Sequence, residues 1–358
     1  MPVAGKLSDK FGKKRLLWVG LLIYVIAAVG YLWSPSYQEL ILFRVFSGAG
    51  AAAVFPTAYA YVGELAPRGR EGRYMGLLMV SFMVSNGIWP ILGGTVHDVF
   101  GADVTFASMG VLSAAGMLMV LLLLPGTSPS VEASKSEKTG GGFVAILKDE
   151  TMRGLITFQL IWGLGYGAVF TFLPVFMTST LGTSVTQVGM VLSARFLLSG
   201  VVAYPFGRLA DRMSRVVLVS IGMIATATGT FFIPWMGHVA PLIGLFLLMA
   251  LFESNAVPAG NAISIEKGRI LGMGPVMGVY NMAMSFGIIA GSMIGGVVES
   301  SLGLGWVFRS TSAVGVLGVV AFNVFMRRGA RTRKEDVTCM KPITSAVSSD
   351  GAQAQPDP

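Results

Sequence analysis

Ten stretches of about 20 mostly apolar residues follow one another along the chain, at roughly 16–33, 40–62, 74–96, 104–124, 154–177, 185–206, 216–236, 239–259, 276–298 and 306–326. Each is long enough to carry a helix across the hydrocarbon of a bilayer, where a helix keeps all its backbone hydrogen bonds within the segment. Composition agrees: the 358 residues are 53% hydrophobic and 12% charged, against about 25% charged in an ordinary soluble domain. The fold class is therefore all-α and polytopic, with the lipid bilayer as its first partner. The 47 glycines then stand for close helix packing, because lipid tails leave helices no apolar gain from association. Cys339 is the single cysteine, which excludes a disulfide framework and a cysteine-rich metal site. No cofactor or metal is expected.

The net charge of +8 raises nucleic acid as a partner, but the placement of the basic residues points elsewhere. Of the 26 Lys and Arg, 23 fall in every second connection: Lys6 to Arg15, Arg68 to Arg73, Lys135 to Arg153, Arg208 to Arg215, Lys267 and Arg269, and Arg327 to Lys341. The intervening connections near 34–39, 97–103, 178–187, 237–238 and 299–305 contain none. An excess of Lys and Arg marks cytoplasmic loops. The alternation thus predicts a multi-pass protein of the cell membrane with both ends cytoplasmic, and no nucleic-acid role.

The chain also repeats itself. Gly5-Lys6-Leu7-Ser8-Asp9-Lys10 returns as Gly207-Arg208-Leu209-Ala210-Asp211-Arg212, 202 positions later. The same offset relates Glu64 to Glu266, Met75 to Met277, Gly93 and Gly94 to Gly295 and Gly296, Gly101 to Gly303, and Phe106 to Phe308. Duplicated six-span halves are a recurrent transporter architecture with the substrate site near the midplane. Residues 1–126 read as an incomplete first bundle, 127–152 as a polar linker, 153–326 as a six-helix second bundle, and 327–358 as a disordered tail. The counterpart of the second half's start falls about fifty residues before Met1. The expectation is that the first span and most of the second are missing, so that about ten of twelve are present. A start position set too late within a longer reading frame is one explanation, and a truncated gene product the other.

Gly5-Lys6-Leu7-Ser8-Asp9-Lys10-Phe11-Gly12-Lys13-Lys14-Arg15 resembles the loop between the second and third helices of the major facilitator superfamily. Its weaker copy from Gly207 to Arg215 sits where that family has one, with Ser214 in place of the second glycine. The resemblance implies that Asp9, with Gly5, Gly12 and Lys13, and in the copy Gly207, Asp211 and Arg212, takes part in a charge network made and broken during transport. A topology-and-capping role is the alternative. Arg44-Val45-Phe46-Ser47-Gly48 is similar to the family's Arg-x-x-x-Gly motif, which implies a translocation role for Arg44. Gly76, Ser85, Trp89, Pro90, Gly93 and Gly94 fit the spacing of the helix-five motif of drug and metabolite exporters, although Ser85 and Trp89 stand where that motif prefers glycine. A structural use of Pro90, Gly93 and Gly94, as kink and close packing, stays open beside it.

Ionisable side chains inside spans are costly and are candidate sites by default. Arg44, Arg195 and Glu253 meet that description, and an arginine pairing with Glu253 across a central cavity would offset the desolvation of both. A carboxylate that loses such a partner can take up a proton. Gln159, Trp162 and Tyr166 share one helical face and, with Asn255, could contact substrate. These readings converge on a secondary transporter of a small molecule, proton-coupled and exporting. No Gly-x-x-x-x-Gly-Lys-[Ser/Thr] loop for an ATP-driven pump is present, and two separated histidines give no enzyme-like cluster. The second class considered is a non-transporting relative that senses a ligand or binds a partner.

Overall fold

The computed structural model describes residues 12–34, 36–65, 71–125, 143–210 and 213–346. Gly5, Asp9, Asp211 and Arg212 lie outside the described residues, as do 126–142 and 347–358. The elements are α1 (Lys13–Trp33), α2 (Tyr37–Leu65), α3 (Glu71–Leu123), α4 (Phe143–Lys148), α5 (Glu150–Thr180), α6 (Val185–Ala210), α7 (Arg215–Phe232) and a short 3-10 turn (Ile233–Trp235). They continue with α8 (Val239–Glu253), α9 (Ala256–Leu271), α10 (Met273–Leu302) and α11 (Leu304–Ala346). Among the described residues there is no strand.

At 53 residues α3 would extend about 80 Å, more than twice a bilayer's hydrocarbon thickness. Its backbone leaves helical geometry at Gly101 (φ 86°, ψ 177°), a conformation in which a Cβ is strained. The two spans expected at 74–96 and 104–124 are thus the two arms of α3. Conversely, the span expected at 239–259 is interrupted, with α8 ending at Glu253 and α9 starting at Ala256. Pro258 has no N–H to donate to the Ser254 carbonyl four residues back, which removes the bond that would carry one helix into the next.

Gly207 lies within α6, which runs through it to Ala210; a lone glycine weakens a helix by only about 1 kcal/mol and need not end it. The chain beyond Met326, expected as a disordered tail, continues α11 to Ala346. Its Arg, Lys, Glu and Ala residues are good helix formers, and an existing helix propagates without a new nucleus.

The chain forms two compact units, which depart from the chain-order halves expected from the repeat. One comprises the described residues of 1–139, 173–204 and 235–251, the other those of 140–172, 205–234 and 252–358. In the first, α1 packs on α2 and α3. Lys14 Nζ donates to the carbonyls of Leu121 (2.9 Å) and Leu124 (2.7 Å), so the basic loop residue caps the C-terminal end of α3. Gly12 takes the positive φ (84°) that starts α1. In the second, α7 packs on α9 and α11, and α10 on α9 and α11. Its core gathers Phe158, Met223, Ala256, Tyr280, Val319 and Phe322. Lys267 Nζ meets Asp149 Oδ2 at 2.6 Å, and Arg215 pairs with Glu266.

Candidate functional site

In the second unit Glu253 ends α8 at the break in the span and is only 6% exposed. It lies against α7: a Cβ on Gly222 would meet the Phe252 carbonyl oxygen at 3.3 Å and Glu253 Cα at 3.4 Å. One helical turn further along α7, Thr226 Oγ1 donates to Gly222 O at 2.9 Å and reaches Glu253 Oε2 at 3.3 Å. A buried carboxyl thus has a hydroxyl neighbour able to donate to its charged form or accept from its protonated form. Asn255 occupies the N-cap position of α9 and is buried, with its carbonyl accepting the Ala259 N–H at 3.1 Å.

Beside Thr226 lies a cavity of about 30 Å³ lined by residues of α5, α7 and α11, including Trp162, Gly165, Met223, Thr230 and Thr311. Of the proposed substrate face on α5, Gln159 is buried, Trp162 borders this cavity and lies 5.6 Å from the Phe158 ring, and Tyr166 stacks on Phe170 at 4.0 Å. Thr226 and Thr230 escaped the sequence reading. Their four-residue spacing puts both hydroxyls on one face of α7, a signal visible beforehand.

In the first unit Arg195 is 7% exposed and its guanidinium sits 5.6 Å from the centre of the Phe246 ring. Cation–π attraction of this kind offsets part of the cost of burying the charge. Arg44 is exposed on α2, and its carbonyl accepts the hydroxyl of Ser47, which in turn bonds the Tyr31 hydroxyl at 3.1 Å. Arg44 and Arg195 therefore belong to one unit and Glu253 to the other.

The helix-five glycines separate in role. A Cβ on Gly94 would lie 2.6 Å from the Val185 carbonyl oxygen and 2.8 Å from Thr186 Cα, whereas one on Gly93 meets nothing within 4 Å. Gly189 makes the reciprocal approach, against the carbonyl of Pro90. Pro90 and Gly94 therefore form a contact surface for the start of α6, and Asp98, one turn on, caps that helix. Sequence reasoning missed Asp98, whose partners are nearly ninety residues away. Among the described residues, no three His, Cys, Asp or Glu side chains are grouped to hold a metal.

Membrane-length helices, a buried carboxyl within a span and tight glycine-mediated packing define a polytopic helical membrane protein. The chain belongs to the Major Facilitator Superfamily, whose family model matches residues 1–182 and again 155–342. It is 21% identical over 336 residues to an uncharacterised MFS-type transporter of Methanocaldococcus jannaschii, covering 89% of this chain and 83% of that protein. It is 22% identical over 363 residues to multidrug resistance protein 3 of Bacillus subtilis, covering 84% of this chain and 70% of the relative. Its fold matches a crystal structure of a POT peptide transporter with a TM-score of 0.73 at 14% identity, over 92% of this chain and 83% of the other.

Proposed function

We propose that the protein is a secondary active transporter that exports a small molecule in exchange for protons by alternating access, with Glu253 as the proton carrier. The observation that carries this reading is a buried glutamate at the interruption of a spanning helix, within reach of the Thr226 hydroxyl. Interrupted helices are where transporters of this general kind hold their coupling ions, and an ionisable group in a span is retained at a cost that only use explains. Arg195 and Arg44 serve as translocation charges in this scheme, Gln159, Trp162, Tyr166 and Asn255 as substrate contacts, and the loops at Gly5–Lys13 and Gly207–Arg212 as conformational switches. Export is favoured by the helix-five spacing and by the similarity to a multidrug resistance protein. Basic-loop placement supports a cell-membrane protein with cytoplasmic ends.

The test is transport by reconstituted protein under an imposed pH gradient. Glu253→Gln should retain substrate exchange and lose its response to the gradient. Gradient-driven transport at the wild-type rate in that variant overturns the carrier assignment.

A further inference from the structure

We infer that the cavity between α5, α7 and α11 is a water site through which protons reach Glu253 from within its own bundle. The inference rests on the reading of Glu253 as a proton carrier. The cavity of about 30 Å³ has room for roughly two waters, at about 10–15 Å³ each. It is too small for an organic substrate, since ligand pockets span about 300–1,000 Å³. A buried water needs two to four polar partners, and three threonines, Thr226, Thr230 and Thr311, line this space. Two of them already spend their protons on backbone: Thr226 donates to Gly222 O at 2.9 Å and Thr230 to Thr226 O at 2.7 Å. Each keeps oxygen lone pairs that accept from water. Thr230 and Thr311 are buried and Thr226 is half-buried, while Ile161, Met223 and Ala227 make apolar parts of the lining and direct any water onto the hydroxyls.

Thr226 is the link, because the same side chain lines the cavity and reaches Glu253 Oε2 at 3.3 Å. For uptake, a hydronium in the cavity gives a proton to Thr226 Oγ1 and becomes water. The Thr226 hydroxyl turns its own hydrogen from Gly222 O to Glu253 Oε2 and releases it there, the carboxylate becomes a neutral acid, and the hydroxyl is restored with the proton received from the hydronium. Release runs in reverse, with no redox change and no other reactant. The route lets the carrier exchange protons without passing them through the substrate.

Gly165 offers the means of testing this. It borders the cavity, and a Cβ added there meets nothing within 4 Å, so Gly165→Val fills the space without displacing backbone. X-ray hydroxyl-radical footprinting on the reconstituted protein reads the water directly, since buried sulfur is oxidised only where water is adjacent. Met223, on the cavity wall, should be oxidised at least five-fold faster than Met152, which is buried in the same unit away from it. Gly165→Val should bring Met223 down to the Met152 rate and slow gradient-driven transport about ten-fold. Thr311→Val, which keeps the volume and removes a hydroxyl, should act in the same direction. Equal oxidation of Met223 and Met152 in the wild type overturns the water site. Wild-type transport by Gly165→Val while Glu253→Gln is uncoupled overturns the relay alone and leaves the carrier standing. Normal coupling in Glu253→Gln removes carrier and relay together.

Discussion

Asp98 Oδ2 accepts the backbone N–H of Thr186 at 2.7 Å, while Asp98 Oδ1 accepts that of Val185 at 3.1 Å. One carboxylate thereby satisfies two of the unpaired donors at the start of α6 and places its charge at the favourable end of the helix dipole. The side-chain hydrogen bond from Thr186, then the backbone bonds, hold the Asp98 carboxyl well below the usual carboxylate range. Because the folded carboxyl titrates below its unfolded value, its stabilisation is complete above about pH 4 and is lost as the pH falls through the folded value. Asp98→Ala should therefore lower the melting temperature by the same amount at pH 5, 6.5 and 8. A difference between variant and wild type that shrinks across that range would sink the assignment.

Gly93 and Gly94 are adjacent, yet their replacements should behave differently. Gly94→Ala drives a methyl into the backbone of Val185 and Thr186 and should cost about 2 kcal/mol, in the range for overpacking, whereas Gly93→Ala has open space. Gly189→Ala, against the Pro90 carbonyl, should resemble Gly94→Ala. Thermal unfolding in detergent, followed by tryptophan fluorescence, ranks the three.

The Thr226 hydroxyl contact with Glu253 is separable from the packing of α7. Thr226→Ser keeps the hydroxyl and should transport within about two-fold of wild type. Thr226→Val keeps the volume, leaves the carboxyl without that partner, and should lower gradient-driven transport about ten-fold, corresponding to one hydrogen bond to a charged group. Equal activities for the two variants would contradict the role given to the hydroxyl.

Arg195 lies over the ring of Phe246, and a planar guanidinium uses such a face better than an ammonium. Arg195→Lys should accordingly lose about 1 kcal/mol of stability although charge is retained. Phe246→Leu should lose more, because a fully buried aromatic volume is removed together with the ring. A double-mutant cycle measured by thermal unfolding isolates the coupling between them.

Pro258→Ala supplies an N–H four residues after Ser254 that proline cannot offer, and so favours a continuous helix from Val239 to Leu271. The variant should melt a few degrees higher and transport several-fold more slowly, because the interruption beside Glu253 would be closed. Faster transport in a stabilised variant would show that the break is dispensable.

Much of the fold was legible in residue order because the bilayer is a stringent solvent. Ten apolar segments and basic residues in alternate loops follow from requirements that act on each segment separately. The buried charges Arg195 and Glu253 were visible for the same reason. What the chain order left undecided was which segment meets which. Gly93 and Gly94 are indistinguishable until Thr186 is placed against one of them; Asp98 is an ordinary loop carboxylate until the start of α6 arrives; Thr226 is one more apolar-helix threonine until the break after Glu253 turns a carboxyl toward it. Burial and charge placement are properties of single segments and can be read locally. Close packing and hydrogen bonding at 2.7–3.3 Å belong to pairs far apart in the chain, and only the tertiary structure brings them together.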